Sequence, residues 1–222
     1  LKQIKQILLS GMLLFCIAPA IAQGKKHPVA KKPLIVAVKK PAYGSTRLRN
    51  FLDITARANV IFKFPAGFKE IPAPDNEDFS FDYAMQLPGK DFEIWFQVKS
   101  QKENYAAYQR TLGNKETMQA NPDSLYLGIG TAHALAFTGD NAAYFTRTIP
   151  QKICARYKAD AGRSYLLNLL DLPVTKHYKY ALLVTLQKDH TGTIIAVCFA
   201  NEKGPEFFKD MDRASNCIKF KP

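Results

Sequence analysis

No acidic residue occurs before Asp53, only one tryptophan is present, and no apolar run reaches the about 20 residues of a membrane span. No G-x-S-x-G elbow, H-E-x-x-H helix or P-loop occurs, so the signatures of common hydrolases, zinc proteases and nucleotide-binding enzymes are missing. There is no C-x-x-C and no Cys/His spacing of a zinc site. Gly128-Ile129-Gly130 lacks the third glycine and the preceding strand of a dinucleotide site. Asp210-Met211-Asp212 begins like a calcium loop, but Ala214 stands where an acid or amide is wanted and no glycine follows. No cofactor and no metal is therefore expected.

The 222 residues carry a formal charge of +12, very unevenly placed. Residues 1–22 contribute +2, residues 23–50 contribute +8, and residues 51–222 contribute only +2. The first segment reads LKQIKQILLSGMLLFCIAPAIA. Lys2 and Lys5 form a positive lead, Ile7 to Ile21 is mostly apolar, and Ala20-Ile21-Ala22 is a small-x-small cleavage signal. A cleaved export signal is expected, with Ala22 and Gln23 flanking the cut. Leu1 in place of Met points to an alternative start codon. Cys16 follows the large Phe15 and lies before the cleavage signal, which argues against lipidation.

Residues 23–50 form a basic arm and lead-in. Lysine pairs at 25–26, 31–32 and 39–40 alternate with Pro28, Pro33 and Pro41, and such a segment buries too little to fold alone. It reads as a solvated linker, or as a polybasic contact with an anionic surface: lipid, cell-wall polymer or acidic protein. Export makes nucleic acid a poor partner. Leu34 to Val38 is an apolar run able to add an edge strand.

The mature chain keeps Cys154, Cys198 and Cys217. Two readings stand: a Cys198–Cys217 disulfide with one free thiol, or three buried thiols. At 100° per residue, Phe208, Met211, Ser215 and Ile218 form one stripe of a helix starting at Pro205 and running to about Asn216. Cys217 lies off that stripe, so the bond requires the helix to end early.

Residues 51–222 read as one α+β domain. Leu48, Phe51, Leu52 and Thr55 have helical spacing behind a Ser45 or Thr46 cap. Asn59 to Phe64 is β-rich. Phe79, Phe81, Tyr83, Met85 and Leu87 alternate with Ser80, Asp82, Ala84 and Gln86, and Phe92, Ile94, Phe96 and Val98 alternate with Glu93, Trp95, Gln97 and Lys99 across the Pro88-Gly89 turn. That is a hairpin with one buried face, setting Met85 opposite Ile94 and Tyr83 opposite Phe96. Trp95 falls on the other face, either covered by a helix or exposed as a ligand anchor.

Residues 104–111 suggest a short helix. A longer one follows Asn121, with Leu125, Ile129, Ala132 and Ala136 as its apolar stripe and Gly139 beyond its end. Gly128 and Gly130 in it imply close packing on a sheet, and His133 beside the stripe lacks a second ligand at helical spacing. Residues 142–149 and 164–170 are strand candidates around a short Pro150-led helix. Residues 177–187 and 192–200 are almost continuously apolar, as strands covered on both faces are. The sum is an antiparallel β-sheet flanked by helices.

The segment NVIFKFPAGFKE (59–70), a strand entering Pro-x-Gly-aromatic ahead of the hairpin, resembles the PsbP/Mog1-like group in element order over about residues 59–217. The resemblance implies an α/β/α sandwich and a non-enzymatic binding or assembly role. The phrases KADAG (158–162) and HYKYALLV (177–184) are similar to uncharacterised exported proteins of Bacteroidota-type bacteria. Neither resemblance brings a site motif.

The remaining chemistry is sparse. Asn76-Glu77-Asp78 and Asp82 gather carboxylates that could do acid–base work or simply be solvated. His190 beside Asp189 could serve a triad with Ser164 or Ser215, though nothing in the sequence brings them together. The expected function is an exported, periplasmic or secreted, non-enzymatic binding or assembly module. Its partner would be a protein or cell-envelope component, and the mature chain would hold no membrane span. The alternative is a small exported hydrolase with a dispersed active site.

Overall fold

The computed structural model describes residues 44–112 and 119–222. The expected signal, the Ala22–Gln23 cut and the Leu34–Val38 run lie outside them.

Helix α1 (Thr46–Arg57) begins where expected, its first turn capped by Ser45 Oγ accepting from the Leu48 amide at 3.0 Å. Strands β1 (Val60–Phe62), β2 (Lys69–Ile71), β3 (Tyr83–Gln86) and β4 (Phe92–Ser100) follow, then helices α2 (Lys102–Thr111) and α3 (Leu125–Thr138). Next come β5 (Tyr144–Thr148), α4 (Gln151–Arg156), β6 (Ala161–Asn168), β7 (Tyr180–Lys188) and β8 (Gly192–Ala200). Helix α5 (Pro205–Ala214) and β9 (Ile218–Phe220) close the chain.

Seven strands form an antiparallel sheet in the order β2-β3-β4-β8-β7-β6-β5, while β1 and β9 pair separately. Short turns join β3 to β4 and β7 to β8, which is why these neighbours run antiparallel. The hairpin has the register its alternation demanded: Tyr83 faces Phe96 and Met85 faces Ile94.

Each sheet face carries its own core. On one, Phe51 of α1 stacks on Tyr83 at 4.8 Å, with Phe62, Phe96 and Phe207 in the same cluster. On the other, Phe137 of α3 meets Phe79, Trp95 and Phe199. The architecture is an antiparallel sheet between helices.

Three sequence expectations shift. Phe79 and Phe81 do not share a face with Tyr83 and Met85, but pack under α3. The chain breaks between them because Asp75 bridges Ser80 and the Asp82 carboxylate accepts from the Val98 amide at 2.7 Å. The buried stripe of α3 is Gly130, Ala134 and Phe137, while Ala132 and Ala136 are exposed. Helix α5 ends at Ala214 and buries Phe207, Asp210 and Ala214, leaving Phe208 half exposed. Ile218 belongs to β9.

Candidate functional site

One sheet face is incompletely roofed. Helix α4 has only six residues, and at 1.5 Å per residue it spans about 9 Å. Pro150 sets its start, and Lys158 in the left-handed region (φ 55°) turns the chain away just after it. Leu182 and Val184 of β7 and Ala196 of β8 stay half-buried as a result.

The gap is a cleft of about 290 Å3 between the sheet, α4 and the end of α5. Its floor is Phe96, Leu182, Val184, Ile194 and Ala196, and its walls include Ile149, Ile153, Met211 and Ile218. The polar lining comes from Arg147, Thr148, Arg156, Tyr157, Ser164, Asp212 and Ser215. The volume lies at the small end of the about 300–1,000 Å3 range of ligand pockets, with the apolar walls and few polar groups usual there.

The polar groups have defined partners. Ser164 Oγ donates to the Arg147 carbonyl at 3.3 Å, and Ser215 Oγ donates to the Asp212 carbonyl at 2.7 Å. Burial raises the Tyr157 phenol, partly offset by the Arg156 charge. The Cys198 thiol in the floor is pushed up by burial, and next by Cys217. Burial likewise pushes Cys217 up to about 12. Both are thus protonated, weakly nucleophilic thiols near neutral pH.

The sequence candidates fall elsewhere. Trp95 is 2% exposed beneath Phe137 and Phe199, and its Nε1 donates to Glu93 Oε2 at 3.2 Å. It is a core residue covered by α3, not a surface anchor. Cys154, Cys198 and Cys217 are all buried free thiols. The early end of α5 brings Cys217 into the core, but the two sulfurs are not bonded.

His190 does not meet a serine. Its Nε2 lies 3.2 Å from Asp123 Oδ2, its amide donates to Asp123 Oδ1 at 2.7 Å, and its ring stacks on Tyr105 at 3.8 Å. Asn76 Oδ1 accepts from the Asp78 and Phe79 amides, so that acidic loop is organised as a turn. His133 sits against Phe81 with Nε2 3.5 Å from Gln97 Oε1. Asp210 pairs with Lys90 and Arg213 on α5.

The sequence singled out no residue of the cleft for ligand binding. Arg147 and Arg156 are isolated basic residues on an edge strand and a short helix, with no motif around them. Among the described residues no three His, Cys, Asp or Glu side chains gather as a metal site needs, and no helix is long and apolar enough to cross a membrane.

No protein-family model matches the sequence, and no curated protein matches it. Among solved structures the chain is similar to the solution structure of cyanobacterial PsbP (CyanoP) from Synechocystis sp. PCC 6803. That likeness has a TM-score of 0.39 and 10% identity, over 81% of this chain and 91% of the other. It is a distant resemblance to the PsbP/Mog1-like group and transfers no residue role and no function.

Proposed function

We propose that this chain is an exported, non-enzymatic binding module whose ligand sits in the cleft between the sheet, α4 and α5. The observation that carries the reading is the apolar cavity over Leu182, Val184 and Ala196. Water gains little by filling such a space, because it offers few hydrogen-bond partners. An apolar ligand gains from the surface it covers, about 25 cal/mol for each Å2. The signal-like first 22 residues support export.

The test is uptake of the neutral fluorophore N-phenylnaphthylamine by the full chain. Saturable binding is expected, and Ala196→Phe should weaken it about tenfold or more by filling the floor beside Phe96 and Val184. The melting temperature should hold or rise, because the added ring occupies open apolar space. Absence of saturable uptake, or unchanged uptake by a folded Ala196→Phe chain, refutes the reading.

A further inference from the structure

We infer that the cleft selects an apolar chain or ring that ends in one anionic group, a carboxylate or a phosphate monoester. This rests on the binding reading above and adds the chemistry of the head. Ser164 lies on the cavity side of β6, and Arg147 is its cross-strand partner on β5. Residues directly opposite in a ladder share a face, so Arg147 projects on the side of the cleft, next to the lead into α4. Arg156 is the last residue of α4 and reaches the same space.

Neither guanidinium pairs with a carboxylate among the described residues, whereas Arg47 and Arg213 do. The one acid in the lining is Asp212, whose Oδ1 accepts from Ser215 Oγ at 3.2 Å. Two guanidiniums against one carboxylate leave the rim positive by one charge. The floor below has no partner for a charge. The arrangement therefore suits a ligand apolar at one end and anionic at the other. A planar guanidinium fork fits carboxylate and phosphate oxygens alike. Both arginines are exposed, so water and salt moderate the attraction and a preference of about tenfold is expected, not thousands.

The experiment displaces bound N-phenylnaphthylamine from the full chain with decanoate, decyl phosphate, decanol or decylammonium. At least one anion should displace the probe about tenfold more effectively than decanol, and decylammonium should be the weakest. The tighter of the two anions identifies the head group. In the Arg147→Gln/Arg156→Gln double variant, that preference should shrink to about twofold or less while decanol keeps its affinity. Added salt should erode the anion preference in the unsubstituted chain and leave decanol unaffected. Equal displacement by decanol and both anions overturns the inference and leaves the cavity reading standing. Failure of the probe to bind at all sinks the cavity reading itself.

Discussion

Gly128 and Gly130 stand two positions apart in α3 and obey different constraints. A Cβ on Gly130 would lie 2.6 Å from Tyr165 Oη and 2.9 Å from Thr185 Cγ2, whereas one on Gly128 would meet nothing within 4 Å. Gly130→Ala should therefore destabilise the protein by about 1–3 kcal/mol through overpacking. It would also disturb the Tyr165 hydroxyl, which donates to the Leu127 carbonyl at 3.3 Å. Gly128→Ala should stabilise it by about 0.5–1 kcal/mol through helix propensity. Urea unfolding of the two variants checks the opposite signs; equal effects would refute the close helix–sheet contact.

His133 offers a second residue-scale test. Burial, and after it the Lys99 charge, lowers its imidazole below the ordinary 6.5. The unfolded chain then binds the proton more readily, so this residue's share of stability is full above pH 6.5 and is lost as pH falls through 6.5 toward the lower folded value. His133→Gln should melt with a smaller drop than the unsubstituted chain between about pH 7.5 and about pH 5.5. A drop of the same size in both would show that the ring stays neutral in neither state.

At the scale of elements, the last strand does more than its three residues suggest. Cys217, Ile218 and Phe220 are buried, and β9 aligns with β1 through Val60 opposite Phe220. The Lys63 amide donates to the Cys217 carbonyl at 2.7 Å, and the Phe220 amide donates to the Tyr157 carbonyl at 3.0 Å. The segment thereby ties β1 to the end of α4 and forms part of the cleft wall through Ile218. Deleting residues 217–222 should remove about 3 kcal/mol or more, from the loss of two large buried side chains. Circular dichroism melting of the truncated chain provides the measurement; an unchanged melting temperature would show β9 to be dispensable.

Helices α3 and α5 also show where periodicity misleads. Helix α3 has few polar residues, and Thr131, His133 and Thr138 do not mark one outer side, so any of several stripes could face inward. Burial was decided by Gly130, the position where backbone meets Tyr165. Helix α5 is strongly amphipathic, but a stripe that counts Ser215 and Ile218 runs past the helix end and rotates the inferred face by one residue. Its true end at Ala214 puts Phe207 inward and Phe208 outward.

For the molecule as a whole, the placement of charge separates two kinds of contact. Residues 23–45, which precede α1 in the sequence, carry a formal charge of +6, and residues 46–222 carry +4. An anionic surface would be met through the arm, as the lysine pairs suggest. On the reading proposed above, a small ligand would be met through the cleft, where apolar area would set affinity and Arg147 and Arg156 would set preference. The two proposed contacts would use different residues, so deleting the arm and changing Arg147 and Arg156 would test them separately.

Local pattern was enough for much of the fold. Alternation around Pro88-Gly89 set the β3–β4 register, because a slip of one residue would turn every side chain over. Ser45, Asn121 and Gly139 marked helix ends, because unsatisfied backbone groups there need partners or a left-handed residue. The unbroken apolar runs of β7 and β8 announced strands with two apolar faces. What they could not announce was what lies over each face. One is sealed by α3, which buries Trp95; the other is left open over Leu182, Val184 and Ala196 because α4 stops after six residues. Cover depends on which distant elements reach a given spot, and that follows from helix length, turn direction and the docking of β9, not from the spacing of residues along any one strand.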